Sequence, residues 1–244
     1  MNIKADLHIH SCLSPCGDLS MSPSLIVSRL KEKNITLAAL TDHNSCLNNP
    51  AFASLCKKEN IMCLYGMEAQ TAEEIHVLCL FSSLNEALNF GDFIYTLLPP
   101  FMNVPEKTGD QVYVDEEENI LGEVEKYLIT SAGITIEDLV KEVHNRKGLC
   151  IPAHVDRPSF SLSSQFGCIT PGGWDAIEVV RLDRDPPLDT LNYPVIFSSD
   201  AHYSEHIGRR WTELEADEKN IILPSGDVNL EELKKALQKK IVRN

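Results

Sequence analysis

Met1-Asn2-Ile3-Lys4-Ala5-Asp6-Leu7-His8-Ile9-His10 opens the chain. The alternation of apolar and polar residues predicts a short strand that begins almost at residue 1 and ends in His-x-His. Side chains at i and i+2 of a strand point the same way. His8 and His10 therefore present two imidazoles side by side at a strand end. Such a pair is either two polar residues at the edge of a sheet or two ligands for one transition-metal ion. The choice depends on what the rest of the chain brings to the same place.

Working outward, the same pattern recurs. Leu37-Ala38-Ala39-Leu40 is a short apolar run ending in Thr41-Asp42-His43-Asn44. A third strand over 61–67 ends at Glu68, and a fourth over 75–81 carries His76 near its start. A fifth over 149–153 ends at His154. A sixth spans 176–182, and a seventh over 195–199 ends in Ser199-Asp200-Ala201-His202. Helical patterns over 24–34, 50–59, 83–98, 135–146 and 230–242 separate them, several with Ser or Thr caps. Strands alternating with helices predict parallel strands joined by crossovers. The expected fold is α/β, a distorted (β/α)7 TIM-like barrel forming a single domain over 1–244. Pro99-Pro100 breaks the pattern, and 101–128 reads as a hairpin insertion. A doubly wound open sheet is the alternative that pattern leaves open.

Barrel enzymes build their sites at the C-terminal ends of strands. Six of the eight histidines, His8, His10, His43, His76, His154 and His202, fall at or beside strand ends, with Glu68 and Asp200. Eight such donors exceed the needs of one tetrahedral ion, so the expectation is a cluster of at least two. His144 reads as a solvated helix residue and His206 as a loop residue. Asp42 reads either as a carboxylate orienting a ligand imidazole or as a turn cap. Glu178 reads either as an inward polar residue near the site or as a structural ion-pair partner. Arg157, Arg181 and Arg209 are candidate clamps for the oxygens of a phosphate, against the alternative of surface salt bridges.

The net charge of −14 argues against long duplex nucleic acid and against an anionic membrane surface. No apolar run reaches the length of a membrane span, and residues 1–10 lack a signal-peptide core. A cytoplasmic protein with reduced cysteines is expected, and the eight cysteines form no C-x-x-C pair. The oligomeric state stays open.

The stretches Asp6-Leu7-His8-Ile9-His10-Ser11, Thr41-Asp42-His43-Asn44, Gly66-Met67-Glu68, Ala153-His154 and Ser199-Asp200-Ala201-His202 together resemble the successive motifs of the PHP (polymerase and histidinol phosphatase) family. The resemblance implies a metal-dependent phosphoesterase acting on a small phosphorylated metabolite, a nucleotide or a short oligonucleotide end. It implies two or three divalent ions, with manganese, zinc or iron ahead of magnesium. His8, His10, Glu68 and Asp200 would hold one, Glu68, His76 and His154 a second, and His43 and His202 a third. Glu68, Asp200 and His202 would be the catalytic residues around activated water. Where members of the family supply a further Asp or His after the first motif, this chain has Pro15. Asp18, Cys16 or water would complete the third site, or it stays incomplete. Two rival readings are an amidohydrolase-type metal hydrolase and a non-catalytic PHP-like interaction domain. The first often bridges its ions with a modified lysine, and no lysine lies in the third, fourth or fifth expected strand. The second should have lost several ligands, and this chain lacks one.

Overall fold

The computed structural model describes residues 1–181 and 187–239. The first elements are β1 (Asn2–Asp6), α1 (Pro23–Glu32), β2 (Leu37–Leu40), α2 (Asn49–Glu59), β3 (Met62–Gln70), β4 (His76–Phe81) and α3 (Leu84–Leu97). A short α4 (Pro105–Thr108), β5 (Val112–Val114) and β6 (Ile120–Glu123) follow. Then come α5 (Ile136–Asn145), β7 (Leu149–Pro152), α6 (Leu162–Phe166), β8 (Ile177–Glu178), β9 (Val195–Ile196), β10 (Thr212–Glu215) and α7 (Leu230–Gln238). Local chemistry sets the helix starts. Ser22, Ser83, Thr135 and Asn229 each cap a helix by accepting a backbone N–H in its first turn, and Pro23 follows the Ser22 cap.

The main sheet has the order β10-β1-β2-β3-β4-β7 and is mixed. β1, β2 and β3 run parallel, but β3–β4, β4–β7 and β1–β10 are antiparallel. The expectation of parallel strands throughout is therefore corrected. Only the turn 71–75 joins β3 to β4, too short for a crossover helix. The strand β10 escaped the sequence pattern, as did α4. The sixth expected strand shrinks to Ile177–Glu178, and its last residue, 182, lies outside the described residues, as do 240–242 of the last helix.

β8 and β9 form a separate parallel pair. Hydrogen bonds tie that pair and the segment after it to both sides of the site. Val155 N–H donates to Glu178 O on the β7 side, and His10 N–H donates to Ala201 O on the β1 side. The result is a mixed α/β fold with a six-stranded sheet curled into half a barrel. One cluster of buried side chains takes a face from each of β1, β2, β3, β4, β7 and β9, with Leu230, Leu233 and Leu237 of α7 packed into it. The other faces pack outward under α1 and α2, and under α3 and α5. Gly66 sits where strands approach closely: a Cβ there would meet Cys79 O of β4 at 1.9 Å.

β5 and β6 pair as an antiparallel hairpin within 101–128. It is fastened to the first loop of the chain. Asn48 Oδ1 accepts from Val114 N, and its amide nitrogen donates to Ser11 Oγ. No described helix is long and apolar enough to cross a membrane.

Candidate metal centre

Strand direction gathers the predicted residues. His8 and His10 follow β1, His43 follows β2, and Glu68 lies in the last part of β3. His76 begins β4, and β4 runs backwards, so its start lies at the end of the sheet where the parallel strands finish. The register Gln70↔His76 places it there. β7 turns back again, and His154 follows its end. Bridges His43↔Glu68 and Ile9↔Ala201 complete the arrangement.

Glu68 is the hub, and five imidazoles meet its carboxylate. His76 Nδ1 and His154 Nε2 lie 2.9 and 3.0 Å from Oε1, and His8 Nε2 lies 3.3 Å from it. His43 Nδ1 and His10 Nε2 lie 3.1 and 3.4 Å from Oε2. Asp200 is the second carboxylate. Its Oδ1 is 3.3 and 3.4 Å from His8 and His10 Nε2, and 3.6 Å from His202 Nδ1. Its Oδ2 accepts from Arg157 Nη2. His202 stacks on His10 at 4.2 Å between ring centroids. All these side chains are buried except those of His202 and Arg157, which are part-exposed.

Supporting residues fix which nitrogen faces the cluster. Glu178, which can only accept when ionised, takes the Nδ1 side of His8 at 2.9 Å. The lone pair of neutral His8 then sits on Nε2. For His10 the support is a relay. Ser14 Oγ donates to Asp42 Oδ1 at 2.7 Å and lies 3.0 Å from His10 Nδ1, placing that proton on Nδ1. Asp42 also takes Ser11 N and Oγ, and so both orients the His10 imidazole through Ser14 and pins the loop. The Nε2 atoms of His8 and His10 consequently face each other at 3.1 Å, with the His10 lone pair inward and, once His8 is neutral, the His8 lone pair inward too. His43 Nδ1 and His154 Nδ1 are buried without a hydrogen-bond partner. Converging lone pairs, and the orphaned His43 Nδ1 that faces Glu68 Oε2 at 3.1 Å, are what a cation would satisfy, so the donor set fits divalent ions. Three sets have donor atoms within 4.8 Å of one another: His8/His10/Asp200, His43/Glu68/His76 and His10/His43/His202.

The electrostatics agree. Burial alone would lower the pKa of His8, but the carboxylates of Glu178, Asp200 and Glu68 outweigh it and hold it well above the usual imidazole value. Burial and then His202 push His10 down to about 4, and burial drives His43 well below its ordinary value. Burial opposes charge on Glu68 and Asp200, yet the surrounding imidazoles hold both carboxyls well below the usual range. Strain also concentrates here. Asn44, His154, Phe160 and Asp200 all have positive φ, at 48°, 33°, 52° and 49°.

Not every expected residue arrives. Asp18 is exposed, and its carboxylate accepts from Ser20 N in a local turn, so it stays outside the cluster. Cys16 is exposed as well. Arg181 is exposed on the loop after β8, while Arg209 donates from Nε to Ser199 O beside Asp200. His144 is not simply solvated, because its Nε2 pairs with Asp175 at 3.0 Å. His206 lies in a 3-10 turn, edge-on to Tyr203. Sequence reasoning missed Ser14 and Asp6. Asp6 is fully buried, accepts from Ser199 N and Gly208 N, and is pushed up to about 6 by burial.

The family model of the PHP domain matches residues 6–158. The chain belongs to the PHP domain family. A second model, PHP-associated, matches 188–240 beyond the PHP domain. No protein with a curated description matches the sequence. Among solved structures, the PHP chain is similar to the lesion-specific endonuclease Q of Pyrococcus furiosus, at 19% identity and a TM-score of 0.64, covering 98% of this chain and 56% of that one. It is also similar to an endonuclease Q bound to a 27-mer duplex with an abasic lesion, at 18% identity and TM-score 0.66, covering 98% and 57%. The chain thus spans little more than half the length of these endonucleases. A protein assigned as a metal-dependent phosphoesterase from Bifidobacterium adolescentis shares 15% identity at TM-score 0.55, covering 96% and 95%. At these identities the likeness is one of fold.

Proposed function

We propose that this PHP protein is a divalent-metal-dependent phosphoesterase that hydrolyses a small phosphorylated metabolite, a nucleotide or a short oligonucleotide end. The observation that carries the reading is the convergence of five imidazoles on the Glu68 carboxylate, with Glu178 and Ser14 holding the outer nitrogens of His8 and His10. His8, His10, Glu68 and Asp200 would hold one ion, Glu68, His76 and His154 a second, and His43 and His202 a third, with His10 close enough to share. Bound there, two or three ions such as manganese, zinc or iron would supply hydroxide near neutral pH and neutralise phosphoryl charge.

The residues do the rest. Glu68 and Asp200 hold fixed negative charge on either side of the imidazoles and orient the attacking water. His202, part-exposed beside Asp200, would help hold the third ion next to the bound ester. Arg157, anchored by Asp200, and Arg209, anchored by Ser199, leave guanidinium donors for the remaining phosphate oxygens. Arg181 is the weakest of the three, since it is exposed and the bond that anchors it comes from its backbone N–H to Asp156. The bonds joining β8 to the end of β7, and the segment after β9 to the end of β1, support a single domain with a distorted seven-stranded barrel. The hairpin at 112–123, inserted between α3 and α5, would form part of its rim.

The exclusion of long duplex DNA expected from the net charge has no support from the comparisons, because a protein of this fold was solved on a 27-mer duplex. The amidohydrolase reading draws on a structure assigned as an amidohydrolase from Chromobacterium violaceum, with bound sulfate, at 16% identity and TM-score 0.52. It ranks second, since none of the described lysines pairs with Glu68 or Asp200.

The test is metal analysis combined with a phosphate-release screen over nucleotides, sugar phosphates and short oligonucleotides with Mn²⁺, Zn²⁺ and Mg²⁺. Bound metal and release that vanish in His8→Ala and Asp200→Ala are expected. Full activity in either variant, or neither metal nor release in the parent, overturns the reading.

A further inference from the structure

Phe160 is the least economical residue near the cluster. It is a bulky side chain in the left-handed region, at φ +52°, a conformation that costs an L-residue energy and persists only where its surroundings enforce it. They do so here. Phe160 O accepts from His76 N at 3.1 Å, and Ser161 caps α6 immediately after while bonding back to Arg157 O. The result is a phenyl ring lying almost flat on the His76 imidazole, with centroids 4.9 Å apart and planes 15° apart. The residue is nevertheless 38% exposed. One face shields a cluster imidazole while the rest of an apolar ring is held open to solvent.

Three residues earlier in the same loop, Arg157 reaches Asp200. The loop after β7 therefore carries a cation over the Asp200 side of the cluster and an open aromatic ring over the His76 side. We infer that the Phe160 ring is the stacking platform for the base of a nucleotide substrate whose phosphate lies over the cluster beside Arg157. This rests on the phosphoesterase reading and adds the part of the substrate that is selected. Stacking on a π-face needs no positive charge and accepts any base. It therefore supplies affinity that a chain of net charge −14 does not obtain from its surface. Phe160 is a specificity residue, since the ring touches the base and none of the reacting atoms.

The experiment compares adenosine 5′-monophosphate with glycerol 1-phosphate in the metal-loaded protein, for the parent, Phe160→Leu and Phe160→Tyr. Leucine keeps an apolar cover on His76 but removes the π-face. The expected result for Phe160→Leu is a rise in KM for the nucleotide on the order of 10-fold or more, with kcat and the glycerol ester little changed. Phe160→Tyr should behave as the parent. Calorimetry of adenosine monophosphate against ribose 5-phosphate, without added metal, gives a second readout. There the parent should favour the nucleotide and Phe160→Leu should lose that preference. Equal loss for both esters, as displacement of ions would cause, overturns the inference, and so does a parent indifferent to the base. If the parent releases phosphate from neither ester, the phosphoesterase reading fails, and the binding comparison still decides the stacking role.

Discussion

Glu178 meets the Nδ1 edge of His8 with both carboxylate oxygens, at 2.9 and 3.2 Å, while its Oε2 also accepts from His154 N at 2.9 Å. One buried side chain thus orients the imidazole of one proposed donor and the backbone of another. Glu178→Gln keeps the size but removes the charge and leaves one acceptor oxygen, with an amide donor turned toward the His8 edge. Metal affinity should fall by about 10–100-fold with the fold retained. Titration of the metal-free protein by calorimetry checks this, and unchanged affinity would remove Glu178 from the site.

The support of His10 runs through Ser14. Ser14→Ala leaves Asp42 Oδ1 without that donor and takes the acceptor from His43 N, 3.2 Å away. The unmet groups should cost about 1–3 kcal/mol of stability. Metal binding should weaken about tenfold, since the His10 ring loses its fixed tautomer. Urea unfolding reads the first quantity and metal titration the second.

Metal uptake should release a proton. In the metal-free protein His8 holds its proton above the ordinary imidazole pKa because three carboxylates outweigh burial. An ion must displace that proton, so apparent affinity should rise by up to about tenfold per pH unit until the raised pKa is passed, and then level off. Glu178→Gln removes one of those carboxylates and should move the break to lower pH. Calorimetry in buffers of different ionisation enthalpy counts the protons. A flat profile between pH 6 and 8 would contradict the assignment.

Gly66→Ala forces a methyl group into Cys79 O, where the separation would be 1.9 Å. β3 and β4 must then part, and with them Glu68 and His76. A loss of about 3 kcal/mol or more is expected, read as a lower urea midpoint, together with reduced metal content.

Asn48→Ala cuts the fastening between the hairpin and the first loop. Amide exchange over 112–123 should accelerate markedly, while metal content stays near the parent value. Unchanged exchange would show that the hairpin is held by other contacts.

Much of the site could be read before any coordinates because the donor residues follow a local rule, a polar side chain just past an apolar strand. His8, His10, His43, His154, Asp200 and His202 all obey it. His76 did not, since nothing within residues 75–81 encodes the direction in which that strand runs in the sheet. The short turn after Gln70 held the missing information, because five residues cannot make a crossover. Asp18, one of several options for the third site, stays outside the cluster for the opposite reason: Asp followed by Leu and Ser is also turn chemistry, and its carboxylate accepts from Ser20 N. Ser14 and Asp6 stayed hidden because their roles depend on partners 28 and about 190 residues away. β10 was invisible for a related reason: Thr-Glu-Leu-Glu is too short and polar to signal a strand without β1 to pair with.

The segment that closes the cluster is made late in the chain. Six of the eight proposed donors lie within the first 154 residues, and the last two, Asp200 and His202, arrive on a segment latched to Ile9 through the Ala201 bridge. A chain still on the ribosome, or one cut short before this segment, would present an open nest of imidazoles with one carboxylate. It would lack the second carboxylate that the proposed first ion needs. On the proposed reading, completion of synthesis and assembly of the full donor set are thus coupled events.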